Sequence, residues 1–306
     1  MINDTIALTK GLRAEFLRRT MEPGPLALIQ KLATIVPSSA ASETYAWFGE
    51  VPQMEELKDQ VKYSGFSEAT YSITNKEFAS GIKVRRAEVM DDQIGIIMTR
   101  VRQLADRATK FPLKQLFDLM NNAQSATLGL GYDGVAFFHD AHPARGKQTA
   151  AQDNLLAGSG VTVAALKTDI GTAIKQMKSF KDEANEPFHE LIDPRQLVIV
   201  CGPELEQVMR EAMNAAIISQ TSNLLVGQVG ELIVNQRFTG TNDWDLLYTG
   251  DAIKPFVLQE REALSFTEQT DGDDDSFDRL VWKYRAYRRG NAGYGMWQNA
   301  VRTTNA

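Results

Sequence analysis

The stretch running Asp91-Asp92-Gln93-Ile94-Gly95-Ile96-Ile97-Met98, then through Val101-Arg102-Gln103-Leu104-Ala105 to Met120, decides what kind of chain this is. Ile94, Ile97, Val101, Leu104, Ala105 and Ala108 recur with a period near 3.6, which lays one apolar stripe along a helix. Asp91 and Asp92 suit the positive end of its dipole. Pro112 is a place for the helix to end or kink. Leu113, Leu116, Phe117 and Met120 nevertheless continue the apolar face towards Leu128. Roughly 35 helical residues span about 50 Å at 1.5 Å each. That is long for a compact enzyme and suits a structural strut.

Upstream of the strut, the first 45 residues read as an arm. Thr9 to Thr20 can form a helix with Leu12, Phe16 and Arg19 on one side, and Pro23-Gly24-Pro25 breaks it. Leu26 to Ala33 adds a second apolar turn or two, stopped by Pro37-Ser38-Ser39. Scattered Leu, Ile and Phe cannot close a core alone, so this segment must pack on its own body or on a neighbour's. Residues 46–89 follow as a long hairpin-like excursion, with Gly81 a candidate bulge in the strand reading from Tyr71 to Val89. Excursions of that length without a core are usually functional.

Downstream, Val161 to Phe180 is an amphipathic helix with Thr162 as N-cap, and Leu197 to Pro203 begins as a buried strand. Glu204 to Ala215 is a helix. The rest is β-rich, with separate strands expected at 232–234, 244–248, 256–258, 263–267 and 280–287. In the last of these, Leu280, Trp282, Tyr284 and Ala286 share one face. The fold class is α+β, about two domains in 306 residues.

Composition bounds the function. With 33 basic and 39 acidic residues, the net charge of -6 argues against a dedicated nucleic-acid binder. A single cysteine, Cys201, rules out an internal disulfide framework, and its apolar strand end reads as buried and inert. No apolar run is long enough for a membrane span, and the N-terminal residues lack signal-peptide character. The chain reads as soluble and cytosolically made.

Chemistry-bearing motifs are few. His139-Asp140-Ala141-His142 could ligate a transition metal and support a metal-dependent hydrolase. However, Pro143 and the preceding Gly131 and Gly134 place it on a loop, where the residues would bond locally. Glu268, Asp271, Asp273, Asp274 and Asp275 gather carboxylates at a turn between strands. That turn resembles a calcium loop only loosely and reads as a solvated tip. Arg279, Lys283, Arg285, Arg288 and Arg289 follow at once, a segregation of sign that suits contacts between copies. No catalytic residue, cofactor site or metal site is assigned.

Five motifs then run in order along the chain: Trp47-Phe48-Gly49-x-x-Pro52, Asp91-Asp92-x-x-Gly95 and Tyr132-Asp133-Gly134-x-x-Phe137-Phe138-x-x-x-His142-Pro143 come first. Trp244 ahead of Lys254-Pro255-Phe256, and Asn291-Ala292-Gly293-Tyr294-Gly295-x-Trp297-Gln298, complete the set. Together they resemble the major head subunit family of Mu-like phages and prophages, the gpT family. The resemblance implies the capsid fold shared by tailed phages and herpesviruses. Its parts map to an N-terminal arm at 1–45, an extended loop at 46–88 and a peripheral domain at 89–190 that returns at 256–289. An axial domain at 191–255 takes in the C-terminal strand, 290–306.

The implied function is a major capsid protein that self-assembles, as hexamers and pentamers, into an icosahedral shell. That shell encloses double-stranded DNA without sequence-specific binding. The implied partners are further copies, scaffold, portal and decoration proteins, with no cofactor and no membrane. Assembly in the bacterial host cytoplasm would place the product in the virion. Contacts between copies are expected from Phe16, Leu17, Trp47 and Phe48. No covalent crosslink is expected; Lys58 or Lys62 of the extended loop would instead lie near Asp271, Asp273, Asp274 and Asp275 of a neighbour. A cargo-enclosing nanocompartment shell is the nearest alternative, since it shares the fold.

Overall fold

The computed structural model describes residues 2–45, 71–90, 94–218, 221–270 and 278–305. The chain begins with α1 (Ile2–Thr20) and α2 (Pro23–Leu32), then β1 (Ala33–Pro37), β2 (Ser42–Tyr45), β3 (Tyr71–Thr74) and β4 (Lys76–Arg85). A short α3 (Arg86–Met90) precedes α4 (Ile94–Asn122). Next come β5 (Leu155–Ala157), α5 (Val163–Ser179), β6 (Leu197–Cys201) and α6 (Glu206–Asn214). The small pair β7 (Ile217–Ile218) and β8 (Thr221–Ser222) leads to β9 (Glu231–Val234) and β10 (Trp244–Tyr248). The chain closes with β11 (Phe256–Gln269), β12 (Val281–Tyr294) and β13 (Ala300–Thr304).

The strut is real and has a sheet of matching length beside it. α4 has 29 residues, about 44 Å of helix. β11 and β12 have 14 residues each, about 46 Å of strand. These strands form the centre of a four-stranded sheet ordered β1-β11-β12-β4, and α4 packs along β12 and β4. Trp282, Tyr284 and Ala286 are all buried on the helix side, as their alternation requires. Leu280 departs from the expected face: it lies just outside β12, with φ 52° and its side chain exposed.

Pro112 does not end α4. Its missing N–H and ring clash cost about 3 kcal/mol, and apolar burial on both sides offsets that. Ile97, Val101, Leu104 and Ala105 join one cluster with Leu12, Phe16, Phe266 and Trp282. Leu116, Phe117 and Met120 join a second, larger core. Pro112 therefore stands close to the seam between two cores. The helix stops at Asn122, short of Leu128, because the following turn folds back so closely that a Cβ on Gly129 would lie 2.3 Å from the Asn122 carbonyl oxygen.

The larger core lies under a mixed five-stranded sheet ordered β5-β13-β10-β6-β9. Every residue of β6 and β10 is buried, the pattern of strands covered on both faces. α5 starts as expected, with the Thr162 side chain accepting from the Ala165 amide. It packs on α6 and β13 rather than on the strut, so its apolar stripe belongs with the five-stranded sheet although the sequence reading grouped it with residues 89–190.

Two further expectations change. Gly81 makes no bulge: β4 pairs with β12 in unbroken register from Lys76 to Arg85. Its lack of a Cβ instead allows the Tyr284 carbonyl to approach within 2.9 Å of where one would stand. The irregularities occur on β11, between Glu260 and Glu262 and between Glu262 and Ser265. Residues 256–258 and 263–267 are therefore one strand with register shifts. Of the two packings left open for the arm, its own body takes β1, which extends the four-stranded sheet in parallel with β11, Ala33 opposite Phe256.

Candidate assembly surfaces

The histidine loop is built to close, not to bind. His142 is 1% exposed, and its ring stacks on Trp297 at 3.9 Å with 7° between the planes. The Asn154 Nδ2 group donates to the carbonyls of Phe137, Trp297 and Ala300. That fixes Asn154 Oδ1 as the acceptor for the His142 Nε2–H at 3.0 Å. His142 Nδ1 lies 2.5 Å from the Asp133 carboxylate. Both nitrogens of His142 are thus engaged by protein, and His139 Nδ1 accepts from the Ala141 amide. Asp140 points outward, 77% exposed at its side chain. Among the described residues, no group of three or more His, Cys, Asp or Glu side chains could hold a metal ion. The motif instead ties the loop after α4 to the residues ahead of β13.

Cys201 is fully buried, and burial pushes its thiol up to about 12. A thiol held that far above neutrality is a packing group, not a nucleophile. A second buried polar feature is a cross-strand pair: Arg302 on β13 stands directly opposite Asp245 on β10. Its Nε and Nη2 donate to the two carboxylate oxygens at 2.6 and 2.8 Å. Nη2 also donates to the Met120 carbonyl at 2.9 Å, and the guanidinium lies 4.5 Å from the Phe138 ring centroid. Desolvation pushes Asp245 upward against the pull of Arg302. The pair clamps both strands to the end of the strut.

Of the contact residues expected from the arm, Phe16 and Leu17 part company. Phe16 is fully buried by its own chain, stacked on Phe266 with ring centroids 4.5 Å apart. That corrects its assignment to a neighbour's surface, because α1 lies along α4 and β11 and covers it there. Glu15 reinforces the seat, accepting from Arg18 on α1 and at 2.6 Å from Arg102 on α4. These hydrogen bonds hold the Glu15 carboxyl down at about 2. Leu17 is 41% exposed and remains available. Trp47, Phe48, Lys58, Lys62, Asp271, Asp273, Asp274 and Asp275 lie outside the described residues.

The structure adds surface groups that the sequence reading passed over. Ile217, Leu224 and Val226 cluster in sequence around the β7–β8 pair, and all are more than half exposed. Leu191 is 82% exposed. For the β7–β8 set the signal was present: Ile217-Ile218 and Leu224-Leu225-Val226 follow α6 as runs too short to form a core-facing element. Arg288 was also missed as a special position, although it continues the buried Trp282, Tyr284, Ala286 face of β12.

The architecture is a long helix beside a long β-hairpin, joined to a mixed five-stranded sheet. The same fold appears in the procapsid of bacteriophage JBD30, with a TM-score of 0.58 at 23% identity, covering 98% of this chain and 76% of that one. The family model for the Mu-like prophage major head subunit gpT matches residues 6–168 and 231–306, and the chain belongs to that family. Relatives include the Mu-like prophage FluMu major head subunit of Haemophilus influenzae, 24% identical over 98% of this chain and 74% of that protein. The major capsid protein of Escherichia phage Mu is likewise 24% identical, over 96% of this chain and 72% of that one. The chain is thus a structural head subunit of the tailed-phage capsid fold, not an enzyme, and the family match favours a phage head over a cargo-enclosing compartment.

Proposed function

We propose that copies of this chain group into hexamers and pentamers and close an icosahedral shell around double-stranded DNA. The observation that carries this reading is the exposed apolar set at the β7–β8 end, with Ile217 69% and Leu224 82% exposed. Each such side chain returns about 1.5–3 kcal/mol when fully buried, and closed symmetry repeats the gain around every axis. On this reading the five-stranded half is the axial domain, residues 191–255 with the C-terminal strand 290–306. The four-stranded half is the peripheral domain, residues 89–190 and 256–289. The pairing of β5 with β13 and the packing of α5 support moving residues 155–179 to the axial side. Residues 1–45 serve as the arm and 46–88 as the extended loop. The net charge of -6 suits a wall that holds DNA without gripping it.

Scaffold, portal and decoration proteins complete the head, which assembles in the host cytoplasm and persists in the virion. Negative-stain microscopy of the purified protein tests the reading, with closed shells, rings or tubes expected. Replacing Ile217 and Leu224 together by Asp should abolish these particles while leaving the subunit's thermal unfolding unchanged. A uniform monomer that persists when a scaffold protein is co-expressed overturns the proposal.

A further inference from the structure

Arg288 occupies a position that alternation on β12 reserves for an apolar side chain. It is 6% exposed, in line with Trp282, Tyr284 and Ala286. Its nearest carboxylate among the described residues, on Glu260, is 3.7 Å away, beyond good hydrogen-bond range. Its Nε is buried and meets no acceptor among the described residues. Burial also pushes the guanidinium's pKa down, the sign of a cation short of compensation.

The same level of the molecule is where packing fails. The two cores separate near Pro112, and β11 loses register between Glu262 and Ser265, facing Arg289 and Tyr287 of β12. A cleft of about 390 Å³ opens there between strut and sheet, walled by Phe78, Arg107, Phe111, Leu264, Tyr287 and Arg288. Phe78 and Phe111 already touch, with ring centroids 4.6 Å apart. The cleft thus offers an aromatic wall beside two guanidinium groups, one exposed and one buried. Its chemical complement is an aromatic side chain flanked by carboxylates.

We infer that this cleft receives the acidic segment 270–278 of a second copy, with Phe277 against the Phe78–Phe111 pair and a flanking carboxylate, Asp275 or Asp278, meeting Arg107 and Arg288. Residues 270–278 hold five Asp and one Phe with no cation. The segment 46–70 is also acidic and aromatic, but Lys58 and Lys62 dilute its charge. A nucleic-acid phosphate is a poorer complement, because Glu77 also lines the cleft and most of its wall is apolar. Within one chain the flanks of this segment stand away from the cleft: Gln269 and Lys283 pair about 17 Å along the strand from Arg288. Trp282, Tyr284 and Ala286, packed beneath Leu12 and Phe16, occupy the face between. The contact gives the acidic run a partner other than Lys58 and Lys62, and it rests on the proposed assembly only in requiring that copies meet.

The test uses unassembled full-length subunit and a fluorescein-labelled peptide of residues 269–278, followed by fluorescence anisotropy. Saturable binding is expected, weakened at least tenfold by Phe277→Ala in the peptide and at least tenfold by Arg107→Glu in the subunit. Arg107 is exposed, so its variant should keep the fold, which circular dichroism verifies; Arg288→Met serves as the second, buried probe. Binding that ignores both Arg107→Glu and Phe277→Ala overturns the inference, as does no binding at millimolar peptide. Tighter binding of a peptide of residues 46–57 at the same cleft overturns the assigned occupant. Microscopy of the same preparations separates the two readings: shells that form without peptide binding leave assembly standing and remove this contact.

Discussion

Arg302 and Arg288 are both more than nine-tenths buried, both on C-terminal strands and both beside α4, yet their surroundings differ. Arg302 meets Asp245 through two donors, reaches the Met120 carbonyl and lies over Phe138. Among the described residues Arg288 has one distant carboxylate and a cleft. A buried charge is tolerated when its donors are met and is costly when they are not. The five-stranded half has therefore paired its buried arginine within one chain, whereas among the described residues the hairpin half leaves one without a close carboxylate at the seam of its cores. Of the two arginines, Arg302 is engaged within its own subunit and Arg288 is open to a second copy.

Breaking the first arginine should have the largest effect. Arg302→Ala strands Asp245 in the centre of β10 and should cost about 3–5 kcal/mol in urea unfolding; a loss below about 1 kcal/mol would show that the pair is not the clamp described. Phe16→Ala comes next, at about 3 kcal/mol for an emptied aromatic site. The loss should appear first as faster proteolysis within α1, since the arm is seated by that ring and by Glu15. Arg288→Met, by contrast, should lie between neutral and about 1 kcal/mol stabilising, because an apolar side chain suits that face of β12. If it destabilises as strongly as Arg302→Ala, the contrast between the two arginines disappears.

A smaller effect separates the arm from the rest by pH. Glu15 titrates at about 2 in the folded chain against an ordinary 4.5, owing to hydrogen bonds from Arg18 and then Arg102. A depressed folded pKa contributes stability that is present above the ordinary value and lost as pH falls through the folded one. Pepsin cleavage within α1 should therefore accelerate between about pH 4.5 and pH 2. Glu15→Gln should be more susceptible at pH 5 and lose that dependence. Equal acceleration in both proteins would assign the effect to other carboxylates.

The parts legible in the sequence were those governed by local period. The strut, the capped α5, the buried β6 and the alternating face of β12 all follow from side-chain spacing, which a short window contains. The family motifs were legible for a related reason: Asp133, Phe137, His142 and Trp297 are read as types at fixed intervals. Their purpose was not legible. That Asp133, His142, Asn154 and Trp297 form one buried knot depends on bringing residue 133 to residue 297, which no local pattern encodes.

The same division holds for the larger features. Sequence alone determined an α+β chain with a long amphipathic strut, an acidic balance and a head-subunit pattern. Each of these is set by residue type and spacing along the chain. Tertiary structure decided that Pro112 stays inside the helix, that β1 joins the sheet, that Phe16 is covered by its own chain and that Arg288 is left short of partners. Those outcomes depend on which distant surfaces meet. A proline's cost is outweighed only when cores on both sides hold the helix, and an arginine's is exposed only when the strands around it fail to supply a carboxylate.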